Sequence, residues 1–320
     1  MSRFPFKEVV NKVIKKYDPA RSPNTIEVMI RRYNRMEEDF NRLLAEGKVS
    51  TTNPKYMTPD DIEQFFLEMM KKPSKDKKGM ISIESVKKDL IDLDKLCKFE
   101  ENNCVEVFKA KCPVLTKNNK RGRLPVFNKD EISILSEAAN LVYPDRPDLL
   151  RSYAMLALYF GGGLRTVELR NAEADKITIT DEGATIHLDI VKGIDSYGEP
   201  RDAVILPMFI PVLKRYLEWR ENYLKDSGRS CKYVFFGLRS FDMLADNTIR
   251  KHRLLASEDC GVKYDGRKCR RSYGQYLKDH RLEIESVSRL MGHCSTKTTE
   301  EYYARIPQDM AVQNAFNILN

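Results

Sequence analysis

Four short motifs that lie far apart along the chain constrain its fold most strongly. In chain order they are Gly163-Leu164-Arg165-Thr166-Val167-Glu168-Leu169, Arg267-Lys268-Cys269-Arg270-Arg271, Leu290-Met291-Gly292-His293 and, nine residues beyond the histidine, Tyr302. Arginine provides fixed bidentate charge for a phosphate, histidine provides a hydrogen bond or a proton, and tyrosine provides an oxygen nucleophile. A fold that unites these motifs could therefore act on a phosphodiester.

The order and spacing of the motifs resemble those of the tyrosine recombinase family, which includes the phage integrases and the Xer-like recombinases. The resemblance covers residues 124–305 closely and the amino-terminal part loosely. It implies a catalytic set that consists of Arg165, Lys192, Arg267, Arg270, His293 and Tyr302. Glu168 matches the family's acidic position, where it would hold an arginine in place.

The resemblance also implies a role for each member of this set. Tyr302 would attack a DNA phosphodiester and form a 3′-phosphotyrosyl link, and Lys192, at the end of a predicted strand, would protonate the departing 5′ oxygen. The phosphoryl group would be held by Arg165, Arg267, Arg270 and His293.

Three positions leave alternatives open or depart from the family pattern. Arg267 occupies the usual histidine of His-x-x-Arg, and an arginine can clamp a phosphate oxygen but cannot act as a general base near neutral pH. Tyr303 is chemically equal to its neighbour, and the nine-residue family spacing alone selects Tyr302. Arg201, on the strand that returns after a predicted turn, is a competitor of Lys192.

Helical periodicity assigns two faces to residues 266–279. At about 100° per residue, one apolar stripe is formed by Cys269, Tyr273, Tyr276 and Leu277. The opposite face is predicted to be basic, with one position lacking a side chain where a bulky ligand could approach, and it comprises Arg267, Arg270, Arg271, Gly274 and Lys278.

The next predicted helix is short and ends at a glycine. Val287, Leu290 and Met291 are expected to face inward, and Gly292 stops the helix. His293 would then lie at a helix carboxyl terminus, which favours its protonated form.

Local patterns predict a mainly α fold with a small antiparallel β-sheet. Helix starts at Ser22-Pro23, Thr58-Pro59 and Ser82 indicate an amino-terminal bundle of about four helices, which is similar to the core-binding (SAM-like) domain of the family. A capping box at Asn128 opens the second domain. Segments rich in β-branched residues predict strands within 176–180, 184–192 and 203–206, and helices resume after Pro207.

These patterns divide the chain into a helical core-DNA-binding domain (1–112), a basic interdomain linker (113–124) and a catalytic domain with a carboxyl-terminal tail helix (125–320). The linker is either a solvated tether or a segment that crosses the DNA backbone as the two domains clamp a duplex. Its candidate DNA contacts, together with one on the basic helix, are Lys117, Lys120, Arg121, Arg123 and Arg271. The tail could dock on a neighbouring protomer or cover its own core.

Composition excludes several other classes of protein. The 55 Lys and Arg against 47 Asp and Glu give a net charge of +8, which suits a polyanionic partner. The longest apolar run, Tyr153–Phe160, is too short to span a bilayer, and the chain start lacks the apolar core of a signal peptide. The seven cysteines include no C-x-x-C pair, and no phosphate-binding loop occurs. We therefore expect a cytoplasmic, nucleoid-associated protein that uses no metal and no cofactor.

These observations predict a site-specific DNA recombinase that cuts and rejoins double-stranded DNA without metal or ATP. By resemblance it would act as a homotetramer on DNA and be a monomer or weak dimer when free. Two alternatives remain: a cleavage-deficient DNA-binding protein of the same fold, with Arg267 as its symptom, and a solitary nicking and resealing enzyme that resembles type IB topoisomerases. Integration, dimer resolution and inversion all fit the sequence.

Overall fold

The computed structural model describes residues 4–17, 22–74, 79–112, 124–141, 146–190, 199–293 and Phe316. The chain forms two compact units, residues 1–120 and 121–320. The division falls within the predicted basic linker, of which residues 113–123 lie outside the described ranges.

The amino-terminal unit contains five helices in its described residues, whereas the sequence predicted about four. They are α1 (Pro5–Tyr17), α2 (Pro23–Ala45), α3 (Pro59–Met70), α4 (Ile83–Phe99) and α5 (Cys104–Lys111). Thr58 and Asp61 form a reciprocal capping box at α3, and the Ser82 side chain caps α4. The helix of eight residues was missed because so short a segment carries few apolar repeats.

Buried aromatic side chains and ion pairs hold this bundle together. Phe40 of α2 stacks on Phe65 of α3 with ring centroids 4.6 Å apart, and both rings are fully buried. On another side of α2, Arg35 donates to Asp89 of α4 over 2.5 Å. The bundle therefore has its own apolar core.

The carboxyl-terminal unit surrounds a second core with helices and one small sheet. Its helices are α6 (Lys129–Asn140), α7 (Pro147–Leu156), α8 (Thr166–Asn171), α9 (Ile210–Asp226), α10 (Asp246–Cys260), α11 (Gly266–Asp279) and α12 (Ile284–Met291). The predicted capping box at Asn128 is present, because its side chain accepts from Glu131 N–H and Glu131 accepts from Asn128 N–H. The mainly α fold with one small sheet is thus confirmed.

The sheet has three antiparallel strands in sequence order: β1 (Ile177–Ile179), β2 (Ala184–Leu188) and β3 (Arg201–Ile205). Side chains alternate between buried and exposed along β3, as the pleat requires. The inward row of β3 consists of Arg201, Ala203 and Ile205, so one charged residue points toward the protein interior.

A π-helical turn and a glycine bring the first motif into position. The turn Ala157–Gly161 follows α7 directly, and the chain then reverses at Gly163, whose φ is +64°. A Cβ on Gly163 would lie 2.4 Å from the ring of Tyr273, so only glycine allows this approach to α11. The reversal places Arg165 immediately before α8.

None of the described helices is both long enough and apolar enough to cross a membrane. The six cysteines within the described ranges are free thiols.

Candidate functional site

The site is organised around the carboxylate of Glu168, which is fully buried in α8. Its Oε2 accepts the backbone N–H of Arg165 over 2.8 Å, and its Oε1 accepts from the Arg165 guanidinium over 2.7 Å. The predicted role of Glu168 in holding an arginine agrees with this geometry. Burial opposes the charged form of Glu168, but the guanidiniums of Arg201, Arg270 and Arg165 outweigh it and lower its pKa.

Two further arginines from distant elements reach the same carboxylate. Arg201 of β3 donates to Glu168 Oε2 over 2.9 Å, and Arg270 of α11 lies 3.6 Å from the same oxygen. The side chains of Arg201 and Arg270 are nearly buried, with 6% and 7% of their surfaces exposed, whereas the Arg165 side chain keeps 25%. Arg270 also donates to the carbonyl of Gly163 over 2.5 Å.

The three guanidiniums also bind the end of α12. Arg165 donates to the Gly292 carbonyl over 3.1 Å, Arg270 donates to the Met291 carbonyl, and Arg201 donates to the Leu290 carbonyl. The last carbonyls of a helix have no partner within the helix and carry partial negative charge. Three cations on three consecutive carbonyls therefore fix the chain immediately before His293.

His293 lies next to the cluster formed by Glu168 and the three arginines. The sequence predicted that its protonated form is favoured, and the structure shows that this prediction was wrong. Gly292 ends α12 with a φ of +59°, as the sequence predicted. Burial, reinforced by the charges of Arg270, Arg165 and Arg201, lowers the pKa of His293 to about 3. The imidazole is therefore neutral near neutral pH, because burial and three full charges outweigh the partial charge of the helix end.

The predicted basic face of α11 is divided between the interior and solvent. Arg270 and Gly274 are buried, so this part of the face contacts protein and Gly274 offers no open approach to a ligand. Arg267 is exposed and has no ion pair with another described residue. Arg271 is half-buried and donates from Nε to the carbonyl of Pro125 over 3.2 Å. Helical periodicity did not predict this division, because part of the basic face of α11 is packed against the rest of the unit instead of facing solvent.

Several predicted site residues lie outside the described ranges. They are Lys192, Tyr302, Tyr303, Lys117, Lys120, Arg121 and Arg123. Of the predicted catalytic set, the structure brings together Arg165, Arg270 and His293, with Glu168 between them.

Arg201 belongs to this cluster and was underestimated from the sequence. The sequence indicates it only as a competitor of Lys192, whereas its guanidinium is buried against Glu168 and the end of α12. The signal was available, since Arg201 alternates with Ala203 and Ile205 and is the charged member of an inward row.

The arrangement can bind an anion and orient an imidazole. Three guanidiniums face one carboxylate, so two positive charges remain uncompensated by Glu168. Such preorganised charge stabilises the negative charge that develops in phosphoryl transfer. Among the described residues, no group of three His, Cys, Asp or Glu side chains is placed to hold a metal ion.

Several known proteins are similar to this chain in sequence. The sequence model of the phage integrase family matches residues 125–309. Tyrosine recombinase XerC of Chlorobaculum tepidum is 22% identical over 271 residues, covering 80% of this chain and 77% of its own. Tyrosine recombinase XerA of Pyrococcus horikoshii is 25% identical over 277 residues, covering 83% and 87%.

Two solved structures have a similar fold. The XerH site-specific recombinase bound to difH substrate in a pre-cleavage complex superposes with a TM-score of 0.68 and 14% identity, covering 100% of this chain and 98% of that chain. A lambda integrase dimer bound to a COC′ core site gives a TM-score of 0.60 and 14% identity, covering 94% and 96%. From the family match over more than half of its length, the chain belongs to the phage integrase family of tyrosine recombinases, which are site-specific DNA recombinases.

Proposed function

We propose that this recombinase cuts and rejoins double-stranded DNA through a 3′-phosphotyrosine intermediate, without metal or ATP. The observation that supports it most is the convergence of Arg165, Arg270 and His293, from three separate elements, around buried Glu168. The two arginines are fixed by protein contacts before any substrate arrives. Preorganised donors of this kind contribute to catalysis because they need no rearrangement during the reaction.

Tyr302 supplies the nucleophile in this proposal. Its phenolic oxygen gives up its proton to neutral His293 and attacks the phosphorus. The phosphotyrosyl ester forms, the bond from phosphorus to the 5′ oxygen breaks, and Lys192 protonates that oxygen. A tyrosine with a pKa of about 10 is a poor nucleophile. His293, being neutral, can accept a proton or donate a hydrogen bond, whereas a protonated histidine could only donate.

The energy of the broken bond is kept in the phosphotyrosyl ester, so rejoining is the same step in reverse. The freed 5′ hydroxyl attacks the ester and releases Tyr302. For this reason the proposed reaction needs no nucleotide, and the preorganised arginines supply the positive charge that a metal ion would otherwise supply.

Double-stranded DNA is the proposed partner. The XerH and lambda integrase structures with this fold were solved with DNA sites, and the net charge of +8 suits a polyanion. Residues 1–112 would bind the core site, and the linker residues Lys117, Lys120, Arg121 and Arg123, with Arg271, would contact the backbone. We further propose a homotetramer on DNA, a monomer or weak dimer in its absence, and a cytoplasmic, nucleoid-associated location.

Covalent capture on a nicked suicide duplex tests the mechanism. The wild-type protein should form an adduct that survives denaturation in excess EDTA without nucleotide. Tyr302→Phe should abolish the adduct with duplex affinity within about twofold, because only one oxygen is lost, and Tyr303→Phe is the matched control.

Each contrary result has a distinct meaning. An adduct that persists in Tyr302→Phe but disappears in Tyr303→Phe would move the nucleophile to Tyr303, and a strict magnesium requirement would overturn the chemistry. DNA binding without any adduct would identify a cleavage-deficient binding protein. Strand exchange between two marked duplexes separates recombination from simple relaxation.

A further inference from the structure

Arg201 links three elements of the site although the family resemblance assigns it no role. One nitrogen of its guanidinium donates to Glu168 of α8 over 2.9 Å, and the other donates to the Leu290 carbonyl at the end of α12. A single side chain on β3 thus connects the buried carboxylate with the segment that carries His293.

Packing around Gly292 adds a second restraint. A Cβ on Gly292 would lie 2.7 Å from Cδ and 2.9 Å from Nε of Arg201, so the side chain runs directly against this glycine. The backbone before His293 is therefore held both by hydrogen bonds to its carbonyls and by close contact of Gly292 with the Arg201 side chain.

Burial at this position is costly, which argues against a purely structural role. The Nε atom of Arg201 is buried and has no hydrogen-bond partner among the described residues. An unsatisfied buried donor reduces stability, and an apolar side chain could fill the inward position beside Ala203 without that cost.

We propose that Arg201 is a positioning residue that holds His293 in place by bridging Glu168 of α8 and the carbonyl of Leu290 at the end of α12. This inference rests on the proposed function for its catalytic consequence. Arg165 and Arg270 hold the next two carbonyls, and in the proposed function they would also bind the phosphate, whereas Arg201 acts through His293.

The charges that face His293 from the surrounding described elements are Arg165 immediately before α8, Glu168 of α8, Arg270 of α11 and Arg201 of β3. After burial, the three arginines lower the pKa of His293, and Glu168 opposes them. Removing the charge of Arg201 should therefore raise this pKa, while a lysine in its place should keep it low.

Two variants and a matched control separate the effect of the positive charge of Arg201 from the effect of its bridge between Glu168 and the Leu290 carbonyl. Arg201→Met removes both the charge and the bridge, and Arg201→Lys keeps the charge but offers a single nitrogen for two acceptors. Arg220→Met serves as the control, because Arg220 is a buried arginine that donates to the carbonyls of Cys231 and Tyr233. Folding of each full-length variant is checked by the fluorescence of Trp219, the single tryptophan.

The first readout is the titration of the His293 imidazole by NMR of the protein labelled with ¹⁵N at its four histidines, from pH 2.5 to 8, a range that includes its pKa of about 3. The second is single-turnover cleavage of a suicide duplex at saturating protein, with duplex affinity measured separately. In Arg201→Met the His293 titration should move to higher pH, and cleavage should slow at least tenfold with affinity within twofold. Arg201→Lys should keep the wild-type titration and cleave at an intermediate rate, and Arg220→Met should change neither.

An unchanged His293 titration in folded Arg201→Met would overturn the inference, as would wild-type cleavage by Arg201→Lys. If Arg201→Met does not fold, the rate of Arg201→Lys decides. If the wild-type protein forms no adduct, the proposed function fails, and the His293 titration alone still decides whether Arg201 positions this histidine.

Discussion

At the scale of single residues, the arginines of the second motif differ sharply although they lie one turn apart. Arg270 is buried and bonded to protein, whereas Arg267 is exposed without an ion pair among the described residues. Because Arg270 is bonded to protein, it can contribute both to stability and to catalysis. Arg267 has no such contacts, so its contribution is expected in ligand binding or catalysis.

Arg267→Ala should therefore slow cleavage without loss of stability. We expect a deficit of about 2–4 kcal/mol in the barrier for one lost charged donor, and Arg267→His should be tolerated because it restores the commoner family residue. The free energy of unfolding should stay within about 0.5 kcal/mol of wild type. Single-turnover cleavage at saturating protein gives the rate, and a parental rate in Arg267→Ala would reduce this residue to a solvated surface charge.

Glu168 is the residue on which the site depends most for stability. Glu168→Gln leaves the guanidiniums of Arg165, Arg201 and Arg270 without their shared carboxylate, so we expect unfolding to become easier by about 3 kcal/mol. Urea unfolding at pH 7, followed by Trp219 fluorescence, measures this loss. Glu258→Gln, an exposed change on α10, is the control, and a similar small effect of both variants would contradict the central role of Glu168.

At the scale of elements, the end of α12 matters more than its length. This helix has only eight residues, and the carbonyls of its last two residues and of Gly292 accept hydrogen bonds from Arg201, Arg270 and Arg165. The left-handed glycine that ends it lies against Arg201, whereas Gly261, which ends α10 with a φ of +73°, has open space where a Cβ would stand.

Comparison of Gly292→Ala with Gly261→Ala isolates the effect of the contact between residue 292 and the Arg201 side chain. Both substitutions impose a left-handed backbone on alanine, which costs about 1–2 kcal/mol. Gly292→Ala should cost more and should also slow cleavage, because the new Cβ displaces Arg201 and the segment before His293. Urea unfolding followed by Trp219 fluorescence measures the loss of stability, and cleavage of a suicide duplex measures the rate. Equal results for both variants would show that the Arg201 side chain moves aside without cost.

At the scale of the whole molecule, two half-buried histidines, His252 and His293, couple the stability of the carboxyl-terminal unit to pH. Burial, with the charge of Arg151 added, lowers the pKa of His252 to about 4, and His293 is lowered to about 3. Between pH 5 and 6.5 the unfolded chain protonates both residues while the folded unit does not. The unfolded state then binds more protons, so stability rises with pH across this window.

The expected gain from pH 5 to 6.5 is about 1 kcal/mol for each histidine, after allowance for solvent screening. Trp219 lies in α9, stacked on Tyr216 at 5.8 Å, so its fluorescence reports the unfolding of this unit. The double variant His252→Asn, His293→Gln should lose most of the pH dependence. A double variant with the same slope as wild type would place the titrating groups elsewhere.

The sequence by itself determined the elements and their order. The capping box at Asn128, the cap at Thr58 and the glycine that ends α12 are local devices, so their effects could be predicted from neighbouring residues. The alternation of β3 and the motif order likewise specified the small sheet and the family. The amino-terminal bundle was predicted with one helix too few, since short helices have weak periodicity.

Only the tertiary structure decided the electrostatics of the site. The neutral state of His293 and the joint burial of Arg165, Arg201 and Arg270 around Glu168 depend on contacts between residues separated by up to 127 positions. Helical periodicity specifies which side chains share a face, but it contains no information about what packs against that face. A charge shifts a pKa through distance and burial in three dimensions, and both arise only when β3, α8, α11 and α12 meet.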